Sequence, residues 1–159
     1  MRNCLEMANI ETTTSPEQTF ALGERLGRSL RGGEVILLYG GLGAGKTLLT
    51  KGILNVLDFD IDEVTSPSFT LVNLYKTDSF DVYHIDLWRL DSVRDATAAV
   101  GLSEILENDY AVTIIEWADR LDHVLFPNRT ISVKIDGEGD EARRIVVESS
   151  NTEAELECG

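Results

Sequence analysis

The sequence lacks long apolar runs, and it has few cysteines and few lysines. No stretch approaches the roughly 18 consecutive apolar residues that a membrane-spanning helix requires. The first residues, MRNCLEMANIETTTSPEQ, lack the apolar segment of a secretory signal. We therefore expect a soluble, cytoplasmic protein with no membrane partner. Cys4 and Cys158 stand in polar end segments without metal-ligand spacing, and we interpret them as free thiols without a function.

Basic residues are also scarce, since 14 of them face 28 acidic residues and the net charge is −14. Such a charge repels phosphate backbones unless the basic residues cluster on one face. Direct, strong binding of nucleic acid is therefore not expected. The chain has four lysines, so Lys46, which lies in a glycine-rich segment, is not one of many interchangeable surface charges.

The chain is long enough for one domain, because a chain of 159 residues typically buries about 68 to 70% of the surface that its unfolded state exposes. No internal repeat or low-complexity linker interrupts it. We predict a single domain over residues 10–148, with flexible ends at residues 1–9 and 149–159.

Apolar periodicity and turn formers predict alternating helices and strands. Ser15, Pro16 and Glu17 are typical of a helix start, and an apolar stripe follows them up to a glycine pair. Residues 34–39 are apolar on both faces, as in a buried parallel strand, and residues 46–57 predict a second helix. The pattern favours an α/β fold whose mostly parallel sheet has antiparallel edge strands. Further strands are predicted at 69–75, 82–86, 111–116, 130–135 and 143–147, with helices between 91 and 107.

Residues 40–47, GGLGAGKT, match the pattern G-x-x-x-x-G-K-[ST] throughout. Its glycines let backbone N–H groups surround phosphate oxygens, and the next helix directs its N-terminal dipole at the same anion. Lys46 is predicted to reach the β- and γ-phosphates of ATP, and the Thr47 hydroxyl to bind Mg²⁺. A glycine turn without a ligand is disfavoured by the flanking strand and helix. These features predict a three-layer P-loop NTPase, with nucleotide contacts from Gly41, Leu42, Gly43, Ala44, Gly45, Lys46 and Thr47.

Hydrolysis also requires a carboxylate at the end of a neighbouring strand. Two apolar runs end in such an acid, one at Glu116 and the other at Asp86. Either acid could instead be an exposed strand end or a helix cap. His84 lies on the same strand face as Asp86, but two ligands without a third make a weak metal site. Trp117 either stacks on the nucleotide base or packs in the core.

Several segments together resemble the TsaE family, also called YjeE, the bacterial ATPases of tRNA threonylcarbamoyladenosine biosynthesis. The resemblance covers nearly the whole domain. The motifs that carry it are, in chain order, GAGKT at 43–47, SPSFTLV at 66–72 followed by Tyr75, HIDLWRL at 84–90 and IEW at 115–117. The second and third of these motifs are more specific to the family than the first.

The resemblance implies an ATPase that is weak alone and supports turnover of the partner proteins TsaB and TsaD, meeting tRNA only through that complex. It implies that Thr47 and Glu116 bind magnesium, that Asp86 is a catalytic or metal-organising acid, and that Lys46 holds the phosphates. A switch-like loop beside the γ-phosphate is implied for residues 66–70. Residues implied to border the nucleotide are Glu17, Trp117, Asp119 and Asp140, the last within the turn at 139–143.

Three positions depart from the family pattern. Gly41 stands where the family usually has Asp, Ser68 replaces a common Thr, and Trp88 replaces the usual Tyr. None of these changes removes a phosphate or magnesium ligand.

Three other functions compete with this interpretation. A small-molecule kinase would need an arginine-rich lid, and no such segment is found. A regulatory GTPase would carry an Asn-Lys-x-Asp motif, which is absent. A non-catalytic module that only holds ADP is disfavoured by the intact set of Lys46, Thr47, Asp86 and Glu116.

Overall fold

The structure is a computed structural model, and it describes residues 7–90, 101–121, 126 and 129–150. Its helices are α1 (Pro16–Ser29), α2 (Lys46–Asn55) and α3 (Leu102–Leu106), with 3-10 turns at Ile61–Glu63 and Ala118–Leu121. Its strands are β1 (Met7–Thr13), β2 (Val35–Tyr39), β3 (Val72–Lys76), β4 (Asp81–Asp86), β5 (Ala111–Glu116), β6 (Thr130–Asp136) and β7 (Arg143–Ser150).

The strands form one sheet in the order β1-β7-β6-β2-β5-β4-β3. The four central strands, β6, β2, β5 and β4, are parallel to one another. At the edges, β3 pairs antiparallel with β4, β7 with β6, and β1 with β7. Strand β5 is buried along its whole length, as a parallel strand covered on both faces must be. The predicted fold class, a mostly parallel α/β sheet with antiparallel edges, is confirmed.

Two apolar cores lie on the two faces of the sheet. One core joins α1 and α2 to the sheet, with Leu49, Ile53 and Leu54 fully buried. The other joins the sheet to α3 and the Ala118–Leu121 turn, through residues such as Leu102 and Ile105. The sheet is therefore the middle of three layers.

Helix α1 begins as its sequence predicts. Ser15 is the N-cap, its side-chain oxygen accepts a hydrogen bond from the N–H of Gln18 at 3.2 Å, and Pro16 occupies the first turn. The backbones of α1 and α2 then approach closely. A Cβ added at Gly52 would lie 2.2 Å from the carbonyl oxygen of Phe20, and one added at Gly23 would lie 2.2 Å from that of Leu49. Each glycine is therefore required by the helix contact.

Register places the ends of three parallel strands together. Leu38 of β2 and Asp86 of β4 both pair with Glu116 of β5. Because parallel strands end at the same edge of a sheet, the loop after β2 lies beside both acids. This edge carries the candidate site.

The structure differs from the sequence prediction in three places. Strand β3 begins at Val72, not at residue 69, because Leu71 has a φ of 69° and its N–H donates to the Pro67 carbonyl at 2.8 Å, which closes a turn. The sequence does not predict strand β1, which includes residues 7–9 of the expected flexible end and in which Met7 pairs with Ser149. Strand β7 runs on to Ser150, beyond the predicted 143–147.

Part of the sequence prediction lies outside the described residues. This holds for Cys4, Cys158, the outer parts of both predicted flexible ends, and residues 91–100 of the predicted helical region. Among the described helices, none has the length and apolar character needed to cross a membrane.

Gly52→Ala is expected to lower the free energy of unfolding by about 2 kcal/mol, because the new methyl group collides with the backbone of α1. Urea denaturation measures this change. Gly41→Ala is the matched control, since a Cβ at Gly41 meets nothing within 4 Å. Equal stability of the two variants would contradict the close helix contact.

Candidate nucleotide site

The glycine-rich loop between β2 and α2 forms an open cradle. Gly43 and Gly45 have φ values of 74° and 114°, in the left-handed region that favours glycine. A Cβ added at Gly41 or Gly43 would meet nothing within 4 Å. Gly45 is the N-cap of α2 and offers no capping side chain. The positive end of the helix dipole therefore points to the loop, as in sites that bind phosphate.

Lys46 is buried at the start of α2 and folds back on the loop. Its Nζ donates to the carbonyl oxygen of Gly40 at 2.6 Å and lies 3.9 Å from the ring centroid of Trp117. Burial lowers the pKa of Lys46 below its ordinary value, although the negative charges of Glu116, Asp86 and Asp119 act in the opposite direction. An anion entering the loop would find a cation that is already desolvated.

Asp86 and Glu116 are buried side by side at the ends of β4 and β5. The two oxygens of Asp86 accept hydrogen bonds from the Ser66 hydroxyl at 3.0 Å and from the Trp88 N–H at 2.8 Å. Glu116 accepts a hydrogen bond from His84 Nε2 at 2.5 Å. Each carboxylate is thus held in one orientation by neutral or histidine donors.

A cavity of about 480 Å³ brings the two acids and the loop together. The predicted loop contacts from Leu42 to Thr47 face it along with Asp86, Glu116 and Trp117. Ser66 and Ser68, from the loop implied to be switch-like, lie on its wall. Its lining residues are Leu42, Gly43, Ala44, Gly45, Lys46, Thr47, Ser66, Ser68, Asp86, Trp88, Arg89, Glu116 and Trp117.

A second cavity, of about 280 Å³, shares residues 43–45 with the first. Its walls come from residues 13–16 before and at the start of α1, from Leu48 of α2, and from the turn between β6 and β7, which includes the predicted contact Asp140. The predicted contacts Glu17 and Asp119 are exposed and line neither cavity, although the charge of Asp119 acts on Lys46.

Gly41, the remaining predicted loop contact, lines a neighbouring cavity that shares Leu42, Trp88 and Trp117 with the first. Trp117 has a φ of 58°, which is rare for a bulky residue, and its ring centroid lies 4.5 Å from that of Trp88. Its backbone conformation turns the chain sharply after Glu116 and places the ring against Lys46.

Arg143 lies at the end of the turn at 139–143 that is implied to border the nucleotide, but its contacts with the glycine-rich loop are not predicted from the sequence. Its guanidinium donates to the carbonyl oxygens of Ala44 at 3.1 Å, of Gly43 at 3.3 Å and of Gly139 at 2.8 Å. It therefore ties the glycine-rich loop to the β6–β7 turn. The sequence places Arg143 in an edge strand, and no motif signals that it reaches a loop 100 residues earlier.

Oxygen donors suited to magnesium face the first cavity. Thr47, Asp86 and Glu116 all line it. Proteins usually bind Mg²⁺ through one or two carboxylates together with phosphates and water. Within the described part of the chain, no group of three or more His, Cys, Asp or Glu side chains is placed to hold a metal ion. The residues present fit an ion that is held jointly with a phosphate ligand.

Comparisons with known proteins match most of the chain. The family model of "Threonylcarbamoyl adenosine biosynthesis protein TsaE" matches residues 13–145. A tRNA threonylcarbamoyladenosine biosynthesis protein TsaE from Rickettsia conorii is 35% identical over 74% of this chain, which spans 66% of that protein, just under two thirds. The Bacillus subtilis protein of the same description is 32% identical over 92% of this chain and 89% of its own length.

A similar fold is found in a solved structure. The crystal structure of YdiB from Bacillus subtilis superposes with a TM-score of 0.70 and 26% identity, covering 97% of this chain and 93% of that one. The superposition therefore extends over almost the whole of this chain.

Arg143→Ala is expected to weaken binding of ADP about tenfold, because loss of a charged hydrogen-bond donor of this kind costs about 1.5 kcal/mol and frees the glycine-rich loop. Calorimetric titration measures the affinity. Arg144→Ala is the control, since Arg144 is the exposed neighbour of Arg143 on the same strand. If the two variants bind ADP with equal affinity, Arg143 does not contribute to nucleotide binding.

Proposed function

Since the chain belongs to the TsaE family of threonylcarbamoyl adenosine biosynthesis proteins, we propose that it is a magnesium-dependent ATPase of the tRNA threonylcarbamoyladenosine machinery. The observation that carries the proposal is the meeting of Lys46, Thr47, Asp86 and Glu116 around one cavity at the ends of parallel strands. A glycine cradle alone binds phosphate. Hydrolysis also needs acids that hold metal and water, and here two buried carboxylates stand opposite the cradle.

The loop and Lys46 bind the phosphates. Backbone N–H groups of residues 43–47 surround the β-phosphate, and Lys46 Nζ exchanges the Gly40 carbonyl for β- and γ-phosphate oxygens. Because burial has already removed part of the water from this ammonium, its attraction to a phosphate is stronger than that of an exposed lysine. Lys46 thereby stabilises the charge that builds up on the transferred phosphoryl group.

Thr47 Oγ1 and a Glu116 carboxylate oxygen would hold Mg²⁺ between the loop and β5. When bound, this ion would supply positive charge that neutralises the phosphates. Asp86, fixed by Ser66 and by the Trp88 N–H, orients water near the γ-phosphate. These side chains need little reorganisation when the substrate binds.

The second cavity suits the nucleoside end of the substrate. It adjoins residues 43–45 but contains neither Asp86 nor Glu116, so a nucleotide lying across the loop would place its phosphates in one cavity and its sugar and base in the other. Leu48 offers an apolar surface there, and Asp140 lies in the turn opposite. Glu17 and Asp119 remain predicted contacts at the rim.

The partner proteins TsaB and TsaD belong to the proposal through the family. Hydrolysis would drive turnover of their complex and not the transfer chemistry itself. The net charge of −14 agrees with a protein that meets tRNA through its partners in the cytoplasm. A small-molecule kinase that uses the same loop is the alternative, and it predicts phosphate transfer to an acceptor other than water.

Glu116→Gln is expected to reduce magnesium-dependent ATP hydrolysis about 100-fold or more, because the amide is a poor ligand for Mg²⁺. Phosphate release measures the rate, and the melting temperature and ADP affinity in EDTA report folding and metal-free binding. Glu107→Gln, which changes an exposed acid, is the control. Hydrolysis at the wild-type rate in Glu116→Gln would refute the metal role.

Lys46→Ala is expected to stop multiple turnover of tRNA modification in a mixture of this protein with TsaB, TsaD, tRNA and ATP. Without the lysine that stabilises the transferred phosphoryl group, the rate of ATP hydrolysis should fall about 100-fold, which is too slow to support turnover. Modified nucleoside per TsaD measures turnover. Lys76→Ala removes an exposed lysine and serves as the control. If wild-type protein passes phosphate to a small acceptor and leaves tRNA modification unaffected, the kinase alternative replaces this proposal.

A further inference from the structure

A buried row of polar side chains begins at Glu116 and leads away from the cavity. His84 Nε2 donates to Glu116 at 2.5 Å, and His84 Nδ1 lies 3.3 Å from the hydroxyl oxygen of Tyr75. The single hydrogen of that hydroxyl can be donated to His84 Nδ1 or to the carbonyl oxygen of Thr65, which lies 3.0 Å away. The exposed fractions are 0% for His84, 2% for Glu116 and 5% for Tyr75. The row therefore crosses β5, β4 and β3 inside the protein and ends on a loop.

The Thr65 end of this row is held by several hydrogen bonds. The Tyr75 hydroxyl accepts one from the Thr65 N–H at 3.4 Å and one from Asn73 Nδ2 at 3.2 Å. Asn73 Nδ2 also donates to the Thr65 carbonyl oxygen at 3.1 Å. The peptide groups on both sides of Thr65 are thus anchored to the side chains of β3.

The next residue returns the row to the cavity. Ser66 donates its hydroxyl hydrogen to Asp86, which is the register partner of Glu116. Glu116 and Asp86 are therefore connected by a path outside the cavity. The path runs from Glu116 through His84 and Tyr75 to Thr65, and then through the Thr65–Ser66 peptide to Asp86. Asp86 is bonded directly to this loop at Ser66, and Glu116 is connected to it at Thr65 through His84 and Tyr75.

Burying these polar side chains costs free energy that apolar side chains in the same places would not cost. An imidazole and a carboxylate enclosed between apolar strands are tolerated only when they are hydrogen-bonded, and an apolar side chain would fill the same space without that condition. Partners that orient a metal-binding carboxylate are a recognised use of such groups. His84 has no contact with the cavity itself, since it is absent from its lining.

We propose that His84 and Tyr75 are positioning residues that couple the orientation of Glu116 to the position of the loop at Thr65 and Ser66. The inference rests on the proposed magnesium role of Glu116. When a phosphate or a partner protein displaces the loop, the hydrogen bond from His84 that orients Glu116 changes. Conversely, a change in the orientation of Glu116 changes the position of the loop. The path thus links metal binding to the loop that carries Ser66 and Ser68.

Tyr75→Phe tests the coupling, because it removes the hydroxyl and keeps the ring that packs against Phe59 at 5.0 Å. In the ligand-free protein, amide hydrogen exchange of residues 64–68 is expected to become about tenfold faster, while residues 49–54 of α2 exchange as in the wild type. Tyr110→Phe is the matched control, since Tyr110 is 84% exposed and lies at the opposite end of β5 from Glu116. Uniformly faster exchange would indicate general destabilisation and would overturn the proposal.

The same variant is then tested for magnesium dependence. The Mg²⁺ concentration for half-maximal ATP hydrolysis is expected to rise about tenfold in Tyr75→Phe, as for other partners of metal ligands. Affinity for ADP in EDTA is expected to stay at the wild-type value, because neither the loop at 40–47 nor Lys46 is changed. An unchanged magnesium requirement together with unchanged exchange at 64–68 would overturn the coupling.

Two substitutions of His84 separate its two contacts. His84→Gln places an amide near the position of Nε2 and so retains a donor to Glu116, whereas His84→Asn places one near Nδ1 and retains the contact with Tyr75. Both are expected to raise the magnesium requirement, but exchange at 64–68 should accelerate in His84→Gln and stay slow in His84→Asn. Identical exchange in the two folded variants would contradict a directed path.

Failure of this inference is distinguishable from failure of the proposed function. If Glu116→Gln hydrolyses ATP with the wild-type magnesium requirement, the metal role fails and the coupling has no target. If Glu116→Gln is inactive while Tyr75→Phe behaves as Tyr110→Phe does in both measurements, the proposed function stands and only the coupling is lost.

Discussion

Parallel pairing of β2, β5 and β4 is the constraint on which the rest of the molecule depends. Glu116 is the register partner of both Leu38 and Asp86, so three strands end at one edge of the sheet. The glycine-rich loop leaves β2 at that edge, and two acids arrive there on its neighbours. A slip of one residue in either pairing would turn an acid to the opposite face. A slip would also separate Glu116 from His84, with which it is hydrogen-bonded inside the protein.

The same edge concentrates charge in a place with little water. Asp86 and Glu116 lie next to each other, and the buried Lys46 lines the same cavity. Dipoles as well as opposite charges stabilise these groups. Asp86 accepts hydrogen bonds from a hydroxyl and a backbone N–H, and Glu116 accepts one from an imidazole. Lys46 donates to a backbone carbonyl and lies over an aromatic ring. Each charged group therefore has a partner that a ligand can replace or strengthen. Such an arrangement is preorganised for binding anions and metal ions.

Much of this could be predicted from the sequence, because it depends on local patterns. The loop motif, the buried strands ending at Asp86 and Glu116, and the capped start of α1 at Ser15 all have short-range signatures. Contacts between distant residues have none. The reach of Arg143 to Ala44 depends on where the β6–β7 turn folds, and strand β1 exists because β7 offers it an edge. Strand β3 begins later than predicted because Leu71 adopts a left-handed conformation, and no glycine at that position signals it.

The contact between α1 and α2 gives the second cavity its size. Ser15 and Pro16 at the start of α1 form one wall, and Gly45 and Leu48 at the start of α2 form another. The separation of these walls is set farther along the helices, where Gly23 and Gly52 have no side chains to hold the backbones apart. The absence of side chains at these two glycines thus sets the width of a pocket that neither glycine lines. A side chain at either position would force the two helices apart, and we expect this to widen the second cavity.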